Sequence, residues 1–291
     1  MVPDGNNTAG AEPNPDDASC DEPTTPIYPE PRCENLKLDI EGHIARITLN
    51  RPETLNVFTL PMLTELEAAV DHIINVETRV KCIIFKSSTS KAFSGGADIR
   101  EMSKRNVAGG IRFAERGHRI ARKMELNLPP IIAVLDGMVL GGACEFACAC
   151  DIRIATPRTS FSQPEINLGI IPGWGGTQRL MHLVGVGKAK EMIYTGKRID
   201  AQAALALGLV NQVVEPEKLE EAANMMANAI ASKSRPVLMA AKQAIHVGLD
   251  SSLDVGLRFE IQKWGTLFDT YDRSEGMKAF IEKRPANFED K

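Results

Sequence analysis

Asp136-Gly-Met-Val-Leu-Gly-Gly-Ala-Cys-Glu145 is the stretch around which the chain is organised. Ile131-Ile-Ala-Val-Leu135 precedes it, a β-branched apolar run of strand character, and Phe146-Ala-Cys-Ala149 continues it as helix-forming sequence. A strand feeding a glycine turn that opens into a helix is a building unit of α/β folds. Gly141 and Gly142 lack a Cβ, so a ligand can come close to the backbone there. The free N–H groups and positive dipole end of the following helix favour negative charge. Glu145 falls one turn into that helix, and Glu165, in Gln163-Pro-Glu165, follows twenty residues later in a loop. An anion pocket beside two carboxylates is what proton transfer next to a carbonyl requires.

The same grammar occurs upstream. Val80-Lys-Cys-Ile-Ile-Phe85 is a continuous apolar run, as expected of a strand covered on both faces, and Lys91-Ala-Phe-Ser-Gly-Gly-Ala-Asp98 follows as a loop. Glycines in two such loops serve tight strand-to-helix turns. They also allow one backbone N–H from each loop to converge on a carbonyl oxygen gaining charge, where losing one donor costs ~10²–10³ in rate. Lys37–Leu49 reads as a β-hairpin about Glu41-Gly42, Leu60–Ile74 has helical apolar spacing, and Ile99–Leu126 is a polar amphipathic stretch. Asp151–Ala155 reads as a strand and Gly173-Trp-Gly-Gly-Thr177 opens a further helix. Beyond Gly187 the chain is mostly helical, with a strand at Leu209–Val214 and helices at Pro216–Ser232, Arg235–Val247, Leu253–Asp269 and Ser274–Lys283. The expected class is α/β, with helices packed on a sheet.

Composition narrows the function. The net charge is −4, but residues 1–33 carry seven acids against one Arg, so the remainder is +2 (−4 minus −6). A mildly basic body suits a small anionic molecule better than nucleic acid or an anionic membrane. Residues 1–33 also hold seven of the 17 prolines and few large apolar side chains, the signature of a disordered tail. The expected division is this tail at 1–33, a core at 34–214 and a helical region at 215–291. The six cysteines lack the paired C-x2-C spacing or His partners of a metal site, so they read as buried free thiols of a reducing cytoplasm. No apolar run is long enough to span a bilayer, and the N-terminus lacks a charged-then-apolar signal. G-x-x-x-x-G-K-[ST] is absent, and no G-x-G-x-x-G follows a first strand, which argues against ATP and NAD. All five histidines stand outside the glycine loops, leaving Ser94 and the cysteines without a base nearby in sequence.

Taken in order, several segments resemble the enoyl-CoA hydratase/isomerase (crotonase) superfamily. They are Ala92-Phe-Ser-Gly-Gly-Ala-Asp-Ile99, Gly137–Glu145, Cys150-Asp-Ile-Arg-Ile-Ala155, Phe161-Ser-Gln-Pro-Glu-Ile-Asn-Leu-Gly169, Pro172-Gly-Trp-Gly-Gly-Thr-Gln-Arg179 and Glu275–Arg284. The resemblance runs from about Leu36 to Lys283. It implies repeated ββα units and a C-terminal helical region used for trimerisation, often as a dimer of trimers. It also implies an acyl-CoA substrate and no cofactor beyond the coenzyme A that the substrate carries, and no metal. The family's oxyanion donors map to the N–H groups of Ala97 and Gly142, its two acids to Glu145 and Glu165, and its substrate-binding segment to Ala97-Asp98-Ile99-Arg100. Phe280 and Lys283 match residues that reach the neighbouring subunit's CoA site.

Hydratases of this family keep both glutamates, whereas simple Δ3,Δ2-isomerases commonly keep only the second. The pair points to a trans-2-enoyl-CoA hydratase, or equally a 3-hydroxyacyl-CoA dehydratase. A branched-chain (methylglutaconyl-CoA-like) hydratase and an isomerase are the nearest alternatives. An RNA-binding relative is the alternative of a different class; it requires the basic stretch Arg100–Lys123 to present one cationic face, which Glu101 and Glu115 interrupt. Thr54-Leu-Asn-Val-Phe58, Ser94-Gly95 and Trp174 depart from the commoner family pattern, and Trp174, beside the acids, is placed to restrict acyl size.

Overall fold

A computed structural model describes residues 31–291. The expected tail, apart from its last three residues, and Cys20 lie outside the described residues. A hairpin opens the fold: β1 (Leu36–Glu41) and β2 (Ile44–Leu49) pair antiparallel, with Gly42 in the left-handed conformation at the turn. Helix α1 (Leu60–Asn75), capped by the Thr59 hydroxyl, then leads to the first of three repeats.

Each repeat sends one strand to each of two sheets before turning helical. The first is β3 (Cys82–Ser87), β4 (Ala92–Ser94), then α2 (Ile99–Met102) and α3 (Val107–Leu126). The second is β5 (Ile131–Leu135), β6 (Met138–Leu140) and α4 (Gly142–Ala149). The third is β7 (Ile152–Ala155), β8 (Ser160–Ser162), then α5 (Gly176–Val184) and α6 (Val186–Thr195). After β9 (Ile199–Asp200), α7 (Ala201–Ala206) and β10 (Gln212–Val213), the chain ends in α8 (Leu219–Ala231), α9 (Arg235–Leu249), α10 (Leu253–Thr266) and α11 (Tyr271–Glu282). The larger sheet has the order β1-β2-β3-β5-β7-β10, parallel except for the hairpin, and the smaller β4-β6-β8-β9, parallel except at β8–β9. This is the expected α/β class of repeated ββα units with C-terminal helices.

The main core lies between the larger sheet and helices α1, α3 and α4, and Leu219, Ala223 and Ala227 of α8 cover the sheet's other face. Covered twice, β3 and β5 are apolar at consecutive positions rather than alternate ones. Some expectations shift. The Lys91–Asp98 loop contains β4, and Ile99–Leu126 is two helices, because the Asn106 side chain caps a fresh start at Gly109 N. The Leu209–Val214 strand shortens to β10, and the Asp151–Ala155 strand begins one residue later, at Ile152. Cys82, Cys144, Cys148 and Cys150 are buried free thiols and Cys33 is half-buried.

Three cations in the second half of α3 meet acids within the chain: Arg119–Glu67 at 2.6 Å, Lys123–Asp71 at 2.7 Å and Arg122–Asp250 at 2.9 Å. That half of the helix therefore does not present the free cationic stripe that RNA binding requires. Among the described residues no helix is long and apolar enough to cross a membrane.

Candidate active site

The two glycine loops abut at the ends of β4 and β6. Leu55 and Asn56 take left-handed φ values of 54° and 52°, turning the backbone so that Asn56 is buried beneath the first loop. Its amide donates to Ser87 Oγ at 2.8 Å and the Phe93 carbonyl at 3.1 Å, while its Oδ1 accepts from Arg51 N at 2.7 Å. The loop's own N–H groups are then taken in turn. Gly95 N donates to Leu55 O at 2.9 Å, Gly96 N to Ser94 Oγ at 3.1 Å, and Asp98 N to Phe58 O at 3.1 Å. Among the described residues no acceptor takes the Ala97 N–H, and Ala97 lines a cavity.

Gly142 is the first residue of α4, so its N–H has no intrahelical partner. Gly96 has φ +91°, and a Cβ there would stand 2.6 Å from Leu140 O and 3.5 Å from Gly142 N. Only glycine permits that approach, and it brings the two loops' donors to one place.

The cavity of 350 Å³ is lined by Ala97, Gly142, both glutamates, Trp174 and an apolar wall that includes Met102, Phe113 and Ile170. Glu145, 2% exposed, is gripped by the turn before α5: its Oε1 accepts from Trp174 N at 2.7 Å and Gly176 N at 2.6 Å. Burial raises its carboxyl above the ordinary range, and those two N–H groups and the Arg179 charge pull it part of the way back. Glu165 has no comparable grip. Burial, and then the charge of Glu145, push it up to about 7. The buried Gln163 amide, oriented to donate, stands 3.2 and 3.1 Å from the two Glu165 oxygens.

Behind Glu145, Arg179 forms a two-pronged ion pair with the buried Glu125 and donates to the Trp174 carbonyl at 2.8 Å. It therefore props the same turn whose N–H groups hold Glu145. At the far end of α4 the buried Arg153 donates to the carbonyls of Cys150 at 2.5 Å, Ala147 at 3.2 Å and Leu209 at 2.6 Å.

Of the residues expected at the site, Glu145, Glu165, Ala97, Gly142 and Ile99 all line this cavity. Asp98 and Arg100 do not: the Asp98 carboxylate caps α2 by accepting from Arg100 N at 2.8 Å and Glu101 N at 3.2 Å. Phe280, 85% exposed, and Lys283, the C-cap of α11, also stand off the cavity of their own chain. Sequence reasoning missed the grip on Glu145 by Trp174 and Gly176 and the contact of Gln163 with Glu165. It also missed the Arg179–Glu125 pair. Gln163 and Arg179 stand inside the segments quoted for the resemblance, but their roles arise from contacts between elements distant in sequence.

Comparison with known proteins agrees with this architecture. The profile of the family described as Enoyl-CoA hydratase/isomerase matches residues 39–291. The short-chain-enoyl-CoA hydratase of Clostridium acetobutylicum is 44% identical over 250 residues, covering 86% of this chain and 95% of its own. The crotonyl-CoA hydratase of Syntrophomonas wolfei is 40% identical over 255 residues, covering 88% of this chain and 98% of its own. The crystal structure of an enoyl-CoA hydratase from Bacillus anthracis superposes with a TM-score of 0.85 at 39% identity, covering 89% of this chain and 100% of that one. With a match that spans both sheets and the C-terminal helices, the chain belongs to the enoyl-CoA hydratase/isomerase family.

Proposed function

We propose that this hydro-lyase adds water reversibly across the 2,3 double bond of a short trans-2-enoyl-CoA, giving the 3-hydroxyacyl-CoA. The observation that carries the reading is the unequal pair of acids in one cavity. Burial raises both carboxyls, but Glu145 has two N–H donors and a nearby guanidinium that favour its charged form, whereas Glu165 lacks that grip and is pushed up to about 7. In this reading the thioester oxygen accepts from Ala97 N–H and Gly142 N–H, so negative charge developing there is stabilised by donors already in place. A water held between the carboxylates loses a proton to Glu145 as its oxygen bonds to C3. Glu165 delivers its proton to C2, and both additions occur on one face. Dehydration retraces the same steps with the acids' roles exchanged. An isomerase needs only one acid at C2 and C4, so the held carboxylate of Glu145 favours hydration.

The reaction needs no cofactor beyond the coenzyme A of its substrate. The exposed apolar side chains of α10 and α11, among them Leu253, Ile261, Trp264, Phe280 and Ile281, favour a homo-oligomer, read here as a trimer or dimer of trimers. In that assembly Phe280 and Lys283 reach the CoA of a neighbouring subunit, with Asp98 and Arg100 at the mouth of the site. The buried free thiols suit a reducing cytoplasm.

The test is loss of the conjugated enoyl-thioester absorbance with crotonyl-CoA, run beside Glu145→Gln and Glu165→Gln. Rapid loss in the wild type and slowing of about 10²–10⁴ in both variants is expected for general acid–base groups. Deuterium appearing at C4 rather than only at C2 would replace hydration with double-bond migration.

A further inference from the structure

Trp174 occupies an unusual seat. Its indole is 3% exposed, and it packs among Phe58, Phe113 and Phe146 at centroid distances of 5.8, 5.2 and 5.2 Å. Two glycines make the room for it. A Cβ on Gly117 of α3 would collide with the five-membered ring, and one on Gly142 of α4 would collide with the six-membered ring. The indole Nε1–H donates to the Phe113 carbonyl at 3.3 Å, so the ring is held as well as packed.

Position matters as much as size. The backbone N–H of Trp174 holds the Glu145 carboxylate, and its side chain lines the same cavity. On the proposed reading, the acids flank C2 and C3, so the acyl carbons from C4 onward run against this ring. The next residue, Gly175, lines a second cavity of 560 Å³, together with Arg179, Glu125 and the apolar Leu183, Ile245 and Leu249. Passing hydrocarbon into that space would break the buried Arg179–Glu125 ion pair, which is costly. The volume an acyl chain gains on removal of the indole is therefore the indole's own, walled by the three phenylalanines.

We propose that Trp174 is the acyl-length stop of this enzyme. It sets the limit at short chains, and replacing it by a smaller side chain admits medium chains but not long ones. The inference rests on the hydratase reading for its placement of C2 and C3.

The experiment measures wild type, Trp174→Phe, Trp174→Ala and the double variant Trp174→Ala/Gly117→Leu. Hydration is followed with trans-2-butenoyl-, octenoyl- and hexadecenoyl-CoA. Binding of the saturated butyryl-, octanoyl- and palmitoyl-CoA is measured alongside by calorimetry. Each methylene that a hydrophobic pocket gains or loses changes kcat/KM by about 10–200-fold. The C8-to-C4 ratio is expected to rise at least about tenfold in Trp174→Ala, and less in Trp174→Phe, with no gain at C16. Leucine suits a helix interior better than glycine, so the double variant refills the space from α3 and returns the ratio toward wild type.

An unchanged C8-to-C4 ratio in both hydration and binding overturns the proposal, as does a gain that Gly117→Leu leaves intact. The binding ratio decides the matter even for a variant too damaged to turn over. Wild-type protein that binds butyryl-CoA but hydrates no enoyl-CoA would overturn the hydratase reading instead, and the binding ratios would still test the stop.

Discussion

Replacing Glu165 by glutamine should make the protein more stable and nearly inactive, and the gain in stability should depend on pH. The Glu165 carboxyl moves from its ordinary 4.5 to about 7 on folding, through burial first and the Glu145 charge second. The sign follows from that direction. The folded state holds this proton more tightly than the unfolded state, so no penalty exists below pH 4.5, where both are protonated. Stability falls as pH rises from 4.5 to about 7 and then levels off. At about 1.36 kcal/mol for each of the 2.5 pH units between the two values (7 minus 4.5), the full penalty is roughly 3 kcal/mol. Glutamine has nearly the same shape and no charge, and it keeps an amide partner in Gln163. Urea unfolding at pH 8 should therefore show Glu165→Gln more stable than wild type by up to about 3 kcal/mol, with the difference shrinking toward zero at pH 4.5. Protein concentration must be matched, because an oligomer's stability depends on it. Crotonyl-CoA hydration should fall by about 10²–10⁴ in the same variant. A stability difference that is equal at both pH values, or a variant less stable at pH 8, would refute the reasoning.

Other expectations follow from the same site. The kcat/KM for hydration should decline about tenfold per pH unit above about 7, as Glu165 loses its proton. Dehydration should show the same profile, since the two directions use states with equal total protons. A flat profile to pH 9 in steady-state kinetics would contradict this. Arg179→Met removes the main partner of buried Glu125 and should cost about 3 kcal/mol in urea unfolding; Arg179→Met/Glu125→Met should recover most of that loss. Asn56→Ala removes three hydrogen bonds at a left-handed position and should displace the Ala97 donor. A fall in kcat of about 10²–10³ with an intact circular dichroism spectrum is expected, the size typical of losing one oxyanion donor.

Much of this was legible because each essential element is local. A strand, a glycine pair and a helix that starts with Gly142 and carries Glu145 one turn in can all be read from a dozen neighbouring residues. The doubly covered strands β3 and β5 announced themselves as unbroken apolar runs. What escaped was short or distant. Strands β4, β6 and β8 have three residues each, too few for alternation to register, and sheet pairing alone makes them strands. The partners of Arg119 and Lys123 on α1 could not be read from the sequence either, Arg119 and Glu67 being 52 residues apart. Asp98 and Arg100 were assigned from the motif that contains them. Asp98 also caps α2, an interaction that its spacing to Glu101 allowed. Phe280 and Lys283 stand off the cavity of their own chain, and the role proposed for them needs a neighbouring subunit.

Helix α4 has one more implication. Gly142 and Glu145 sit three residues apart on it, about 4.5 Å along its axis, and Arg153 fastens its last carbonyls. The donor proposed to stabilise charge on the thioester oxygen and the carboxylate proposed to activate water are thus marks on one rigid ruler. Their spacing cannot drift with loop movements, nor can selection tune one without moving the other. The other bank of the cavity is under no such constraint. There Glu165 sits in the short 3-10 helix Pro164–Leu168, where the sequence suggested a loop, and Ala97 and the apolar wall ride on other elements.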